Sequence, residues 1–127
     1  MSNTASVNPV DDINLTQLLI DGKWQDAADG AVFDVYNPAT GDVICQVAEA
    51  GPADVDAAVQ SSRRAFESGP WATMSPIERS ARIWRLGELI QENGERIARA
   101  ETLDQGMPYS LTHGSSVPSA ARMFQYM

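Results

Sequence analysis

Phe33-Asp34-Val35-Tyr36-Asn37-Pro38-Ala39-Thr40-Gly41-Asp42-Val43-Ile44-Cys45-Gln46-Val47-Ala48 holds two strands joined by a tight connection. Phe33 to Tyr36 alternates side chains across a pleat. Val43, Cys45 and Val47 recur at period two, the spacing that places them on one face of a second strand. Between the strands, Asn37 can fold its side chain onto the backbone and Pro38 pre-sets φ for the first corner. Gly41 can take positive φ on re-entry into the second strand. The chain upstream of this hairpin is short and turn-rich; the chain downstream is helical in pattern.

Upstream, residues 1–16 are rich in Ser, Asn, Asp and Pro and read as a mobile tail. Leu18-Leu19-Ile20 is a short strand, Asp21-Gly22 a two-residue hairpin turn, and Lys23-Trp24 the returning strand. Downstream, Gly51-Pro52 opens a first helix, because a proline at the first helical position forfeits an N–H that has no partner there. Asp54 and Asp56 in its first turns favour the positive end of the helix dipole. Val55, Val59, Ser62 and Phe66 form one stripe at helical period, and Gly69-Pro70 ends the helix. Ser75-Pro76-Ile77-Glu78 is a capping box opening a second helix to about Glu92. Ile83, Leu86, Leu89 and Ile90 make its apolar face. Asn93-Gly94 reads as a stop or kink with a left-handed glycine. A third helix, Glu95 to Gln105, ends at Gly106 and Pro108. Pro118 suits the first turn of a final helix, whose stripe of Ala120, Met123, Phe124 and Met127 is still periodic at the last residue. A longer protein is the expectation from that pattern.

The charge is unevenly placed. Residues 1–60 carry ten acidic residues and one lysine, Lys23, whereas residues 61–127 carry seven acidic residues and eight arginines, for a net charge of −8. An acidic chain repels phosphate backbones, which argues against a nucleic-acid partner. Arg63-Arg64 and the series Arg79, Arg82, Arg85 have the spacing of a solvated or ion-paired helix face. Cys45 is the single cysteine, so no intrachain disulfide forms, as suits a reducing compartment. No secretory signal or membrane-spanning run is present, and the expectation is a soluble cytoplasmic protein.

Two strings carry a family resemblance. YNPATGDVICQVAEAGPADVDAAVQSSRRAF resembles the opening of an NAD(P)-dependent aldehyde dehydrogenase, and ERSARIWRLGELIQENGERIARAETLDQGMPY resembles the helical region that follows it in that family. The resemblance runs from about Leu18 to Met127, with both motifs in order and correctly spaced. It implies an α/β parent with a Rossmann-like cofactor domain. Residues 17–127 would be the N-terminal part of that domain: antiparallel β-hairpins followed by three to four helices, with the parallel sheet still to come. It further implies an aldehyde substrate, NAD(P)⁺ as cofactor, and a homo-oligomer when full length.

No glycine pair has G-x-G spacing, so neither a dinucleotide fingerprint nor a Walker loop is present. H-E-x-x-H, C-x-x-C and G-x-S-x-G are likewise missing. Cys45 lies inside a strand, without the electropositive setting of a reactive thiol, and reads as a packing residue. His113, in Thr-His-Gly-Ser-Ser, has no carboxylate or cysteine at ligand spacing and reads as a loop residue. Trp24, Trp71 and Trp84 are not interleaved with basic residues and read as packing residues.

The resemblance does imply one constellation. A monovalent cation (Na⁺ or K⁺) would be held by the backbone oxygens of Val35 and Tyr36 and by the carboxylate of Asp104. Oxygen ligands suit a hard cation, and Asp104 near a helix C-terminus stands where the dipole disfavours an acid. The alternative for Asp104 is a solvated carboxylate. The resemblance also sets Ser115 and Ser119 nearest the wall of the substrate tunnel. Met107 stands where lysine is common in the family. The nucleophilic cysteine, general base, oxyanion donors and cofactor loop would all lie beyond Met127, so the chain by itself is expected to be catalytically silent. A non-enzymatic hairpin–helix module, or the product of a degraded gene, is the competing expectation.

Overall fold

Asp21 and Gly22 both take positive φ, 55° and 72°, the two left-handed corners that a two-residue hairpin turn requires. Aspartate tolerates this region better than most side chains do. The turn joins β1 (Leu18–Ile20) to β2 (Lys23–Gln25) with Ile20 opposite Lys23. These features come from a computed structural model that describes residues 17–126; the tail expected over residues 1–16 lies outside the described residues, as does Met127.

The second hairpin pairs β3 (Val32–Tyr36) with β4 (Val43–Ala48), Val35 opposite Cys45. In its turn the Asn37 side-chain oxygen accepts from the Ala39 N–H at 2.9 Å, and the Gly41 N–H donates to the Asn37 carbonyl at 2.8 Å. Gly41 has the expected positive φ, 78°. One expectation fails here. Tyr36 pairs with Val43 rather than Ile44, so Ile44 is an extra residue in the ladder. Such a bulge breaks the period-two face: Val43 turns outward and is half exposed, while Ile44 joins Cys45 and Val47 on the inner side.

Helix α1 (Pro52–Ser68) opens as the proline predicts. Asp54 does more than favour the dipole. Its carboxylate accepts from the Gly51 N–H at 3.0 Å and from the Ala28 N–H at 3.1 Å, and the residue is only 3% exposed. It therefore ties the loop before β3 to the start of α1. Asp21 holds the other hairpin to the same helix, accepting from the Ser61 hydroxyl at 3.1 Å and pairing with Arg64 at 3.7 Å. The stripe of α1 faces outward, with Phe66 82% exposed.

After the short α2 (Pro70–Thr73), α3 (Pro76–Glu92) begins with the expected capping box. The Glu78 N–H donates to the Ser75 hydroxyl at 3.3 Å and the Ser75 N–H donates to the Glu78 carboxylate at 2.8 Å. The chain kinks at Asn93, but Gly94 takes no left-handed cap. Asn93 satisfies the Leu89 carbonyl with both its N–H and its side-chain amide, at 3.1 and 2.9 Å, and Gly94 starts α4 (Gly94–Gln105) directly. The left-handed cap comes at the end of α4, where Gly106 has φ 71°.

His113 is not in a loop. It lies in a π-helical turn, Thr112–Ser116, between α5 (Tyr109–Leu111) and α6 (Val117–Tyr126), and stacks on Tyr109 at 5.2 Å. Pro118 supplies the reason. It has no N–H, and its ring would strike the carbonyl four residues back in a regular α-helix. Widening the preceding turn lets the Val117 N–H reach the Thr112 carbonyl. The Thr112 hydroxyl, fully buried, bonds to the Tyr109 carbonyl at 3.0 Å and to the Thr102 hydroxyl at 2.9 Å.

Buried apolar side chains among the described residues are few and small: Ile20, Ala27, Ala98, Val117 and Ala121. Helix α3 crosses α6 at Gly87, where an added Cβ would lie 2.8 Å from the Ala121 carbonyl oxygen and 2.8 Å from Gln125 Cγ. This narrow seat takes Ala121 and turns Met123 outward, so the contact face is not the expected stripe of Ala120, Met123 and Phe124. Trp24, Trp71 and Trp84, expected to pack, are each roughly half exposed, since no described element covers them. No helix among the described residues is long and apolar enough to cross a membrane.

Candidate functional site

The turn of the second hairpin abuts the end of α4. A Cβ on Gly106 would lie 2.9 Å from Pro38 Cγ, so glycine there serves both the left-handed cap and the close approach. This contact lays the inner face of the β3–β4 hairpin along α4 and leaves an open cavity of about 680 Å³ between them. Val35, Ile44, Cys45 and Val47 form the hairpin wall. Leu89 and Ile90 from the end of α3 close one side. Ile97, Ala100 and Asp104 come from one face of α4, spaced three and four residues apart, with Asn93, Arg96 and Glu101 as the remaining polar rim.

Val35 and Asp104 thus line one cavity. Tyr36 does not line it and its side chain is 56% exposed. Asp104 is the penultimate residue of α4, where the unpaired carbonyls of the helix end add negative potential. Its carboxylate has no hydrogen-bond or ion-pair partner among the described residues. Its field reaches Cys45: burial pushes the thiol above its ordinary value, and the negative charge of Asp104 pushes it further the same way. A half-buried thiol held in its protonated form is a poor nucleophile, which agrees with the packing role read from the sequence. Among the described residues no three His, Cys, Asp or Glu side chains gather to hold a metal ion. An oxygen-ligated monovalent cation needs no such cluster, and one carboxylate with nearby strand carbonyls is the donor chemistry it favours.

Ser115 and Ser119 are exposed and do not line this cavity. Ser115 lies in the π-helical turn, and the Ser119 hydroxyl accepts from Arg122 at 3.2 Å in α6. The two sets of residues singled out in the sequence therefore occupy different places in the fold. Among the arginines of α1 and α3, Arg63 pairs with Glu67 at 3.5 Å, Arg64 with Asp21 at 3.7 Å, and Arg85 with Glu88 and Glu92 at 2.9 and 2.8 Å, while Arg79 donates to the Met74 carbonyl at 2.6 Å. Arg63, Arg64 and Arg85 are thus ion-paired, as the helical spacing suggests.

Sequence reasoning missed Ile44, Leu89, Ile90 and the polar rim as walls of one cavity. The α4 contribution had a signal, because Ile97, Ala100 and Asp104 share a helical face. The Ile44 contribution had none, because it depends on a bulge that local pattern does not mark.

Comparison with known proteins places this geometry. The sequence profile of the aldehyde dehydrogenase family matches residues 24–127. The chain is 41% identical over 120 residues to "Aldehyde dehydrogenase family 2 member B4, mitochondrial" of Arabidopsis thaliana, a match that covers 94% of this chain and 22% of that protein. It is 36% identical over 120 residues to "Aldehyde dehydrogenase, mitochondrial" of Rattus norvegicus, covering 94% and 23%. Among solved structures, the NAD⁺ complex of an aldehyde dehydrogenase from Bacillus cereus superposes with a TM-score of 0.85 at 41% identity, covering 87% of this chain and 23% of that one. The chain spans less than a quarter of the length of these relatives.

Proposed function

This chain belongs to the aldehyde dehydrogenase family, and from that premise we propose that it is the N-terminal part of an oxidoreductase that oxidises an aldehyde to a carboxylate with NAD(P)⁺. The observation that carries the reading is the match over residues 24–127 together with the superposition at TM-score 0.85 on an enzyme solved with NAD⁺. Residues 17–127 are then the first part of the cofactor-binding domain. NAD(P)⁺ supplies the hydride acceptor when bound. No described residue forms a phosphate-cradling glycine loop, so its binding is assigned to the rest of the protein.

Three roles fall to residues of this chain. Asp104, with the backbone oxygens of Val35 and Tyr36, holds a monovalent cation; the unpartnered carboxylate, which lines the same cavity as Val35, supports this. Ser115 and Ser119 contribute to the substrate wall, supported by their position in the π-helical turn and α6, since π turns recur at functional sites. The hairpin and helices act as scaffold. The full-length protein is a homo-oligomer of the cytoplasm on this reading.

The chain by itself is catalytically silent on this reading, because its one cysteine lies in a strand without the electropositive setting of a reactive thiol. The purified 127-residue chain given an aldehyde and NAD⁺ or NADP⁺ is expected to form no reduced cofactor. Aldehyde-dependent NADH or NADPH from that chain would overturn the reading. A cation titration of the same chain, followed by the chemical shifts of Val35, Tyr36 and Asp104, tests the cation site, and unmoved shifts across Na⁺ and K⁺ would remove it.

A further inference from the structure

Thr112 opens the π turn, and all of its polar atoms are engaged. Its N–H donates to the Pro108 carbonyl at 3.2 Å, its carbonyl accepts from the Val117 N–H, and its hydroxyl donates to the Tyr109 carbonyl at 3.0 Å. A hydroxyl has one proton, so in the 2.9 Å contact between the Thr102 and Thr112 hydroxyls the donor is Thr102. Thr112 is fully buried, whereas Ser115 and Ser119, which follow it, are exposed. We propose that Thr112 is a positioning residue for the aldehyde: its hydroxyl pins the π turn to α4 and so fixes where Ser115 and Ser119 stand. The inference rests on the substrate-wall reading above and adds the group that holds that wall in place.

Pro118 does not fix this geometry alone. It forbids a regular α turn, but a kink or a break would accommodate it equally well. Anchoring chooses among these shapes. Thr112 ties the start of the turn to Thr102 on α4, and the Ser116 hydroxyl ties its end to Met107 Sδ, just past α4, at 3.7 Å. A turn closed five residues apart holds one residue more than an α turn, which rotates everything after it by about 100° round the axis. That step brings Val117 and Ala121 inward, 6% and 0% exposed, and leaves Ser119 outside. A turn released from Thr102 is free to take another shape, and both serines then move relative to α4. Valine has the shape of threonine without the hydroxyl, so Thr112→Val leaves the half-buried Thr102 hydroxyl without its acceptor.

The test is the steady-state kinetics of the full-length protein, with a panel of aliphatic and aromatic aldehydes and NAD⁺ or NADP⁺. Thr112→Val is expected to raise the KM for aldehyde by roughly two- to tenfold, the range that one net hydrogen bond corresponds to. The KM for the cofactor and kcat are expected to stay as they are. Thr112→Ser keeps the hydroxyl and is expected to restore the wild-type KM. Where Thr112→Val does not fold, Thr102→Val removes the donor from the α4 side and is expected to raise the aldehyde KM over the same range.

An aldehyde KM that neither valine variant moves would overturn the proposal and leave the oxidoreductase reading standing. So would equal rises for aldehyde and cofactor, the mark of a residue that serves stability alone, or a Thr112→Ser protein no better than Thr112→Val. A wild-type protein that reduces neither cofactor with any aldehyde of the panel overturns the oxidoreductase reading itself, and the positioning role falls with it.

Discussion

Asp104 and Cys45 belong to different elements, yet the carboxylate sets the electrostatic environment of the thiol across the cavity. Burial and the Asp104 carboxylate both disfavour the thiolate of Cys45. The rate of Cys45 alkylation should therefore rise with pH through an inflection above that of an ordinary cysteine, about 8.5. Asp104→Asn should move the inflection down without abolishing the burial part of the shift. An inflection that ignores Asp104→Asn would mean that the carboxylate points away from the cavity. Gly87 makes a second residue-scale prediction. Alanine would gain about 0.8–1 kcal/mol in helix propensity. Its Cβ would meet the Ala121 backbone carbonyl, which cannot rotate aside, and overpacking of that kind costs about 1–3 kcal/mol. The clash wins, so Gly87→Ala should speed amide exchange in α6. Slower exchange there would show that the helices separate freely.

At the scale of elements, the boundaries written in short-range chemistry were legible in the sequence. Asp21-Gly22, Asn37 with Gly41, Pro52 and the Ser75–Glu78 box each act within four residues, and each appears where expected. The Ser75 hydroxyl, then the Ser75 backbone, hold the Glu78 carboxyl below its ordinary value. A folded-state value lower than the unfolded one, near 4.3, means that the stabilisation is complete above that pH. It is lost as pH falls through the lowered folded value. Ser75→Ala should remove about 1 kcal/mol from the start of α3 and return Glu78 to ordinary titration, read by side-chain carboxyl shifts across acid pH. What the sequence hid were features chosen by a distant partner. The bulge at Ile44 redirects a strand face, Asp54 bonds to Ala28 across 26 residues, and the π turn absorbs the missing N–H of Pro118. The candidate cation site was legible only through family resemblance, because Val35 and Asp104 come to line one cavity beside the Pro38–Gly106 contact. No local pattern announces that contact.

Across the whole molecule, burial is concentrated in one place. Ala98, Thr112, Val117 and Ala121 are all buried, and Gly87 receives Ala121 from across the α3–α6 crossing. The two hairpins contribute only Ile20 to the buried set, the loop between them adds Ala27, and α1 contributes Asp54 but no apolar residue. Two-stranded hairpins are marginal without a packed face, and a helix with an uncovered stripe relies on intrinsic propensity, which is weak at this length. Stability should therefore be graded rather than uniform. In native-state amide exchange of the chain, the slowest amides are expected at the α4–α6 contact around Ala98, Val117 and Ala121. The α1 amides around Val59 and Phe66 should exchange much faster, and β4 should lie between them. Protection of α1 equal to that of α6 would contradict this, because it would require a covering surface for Phe66 that the described residues do not provide.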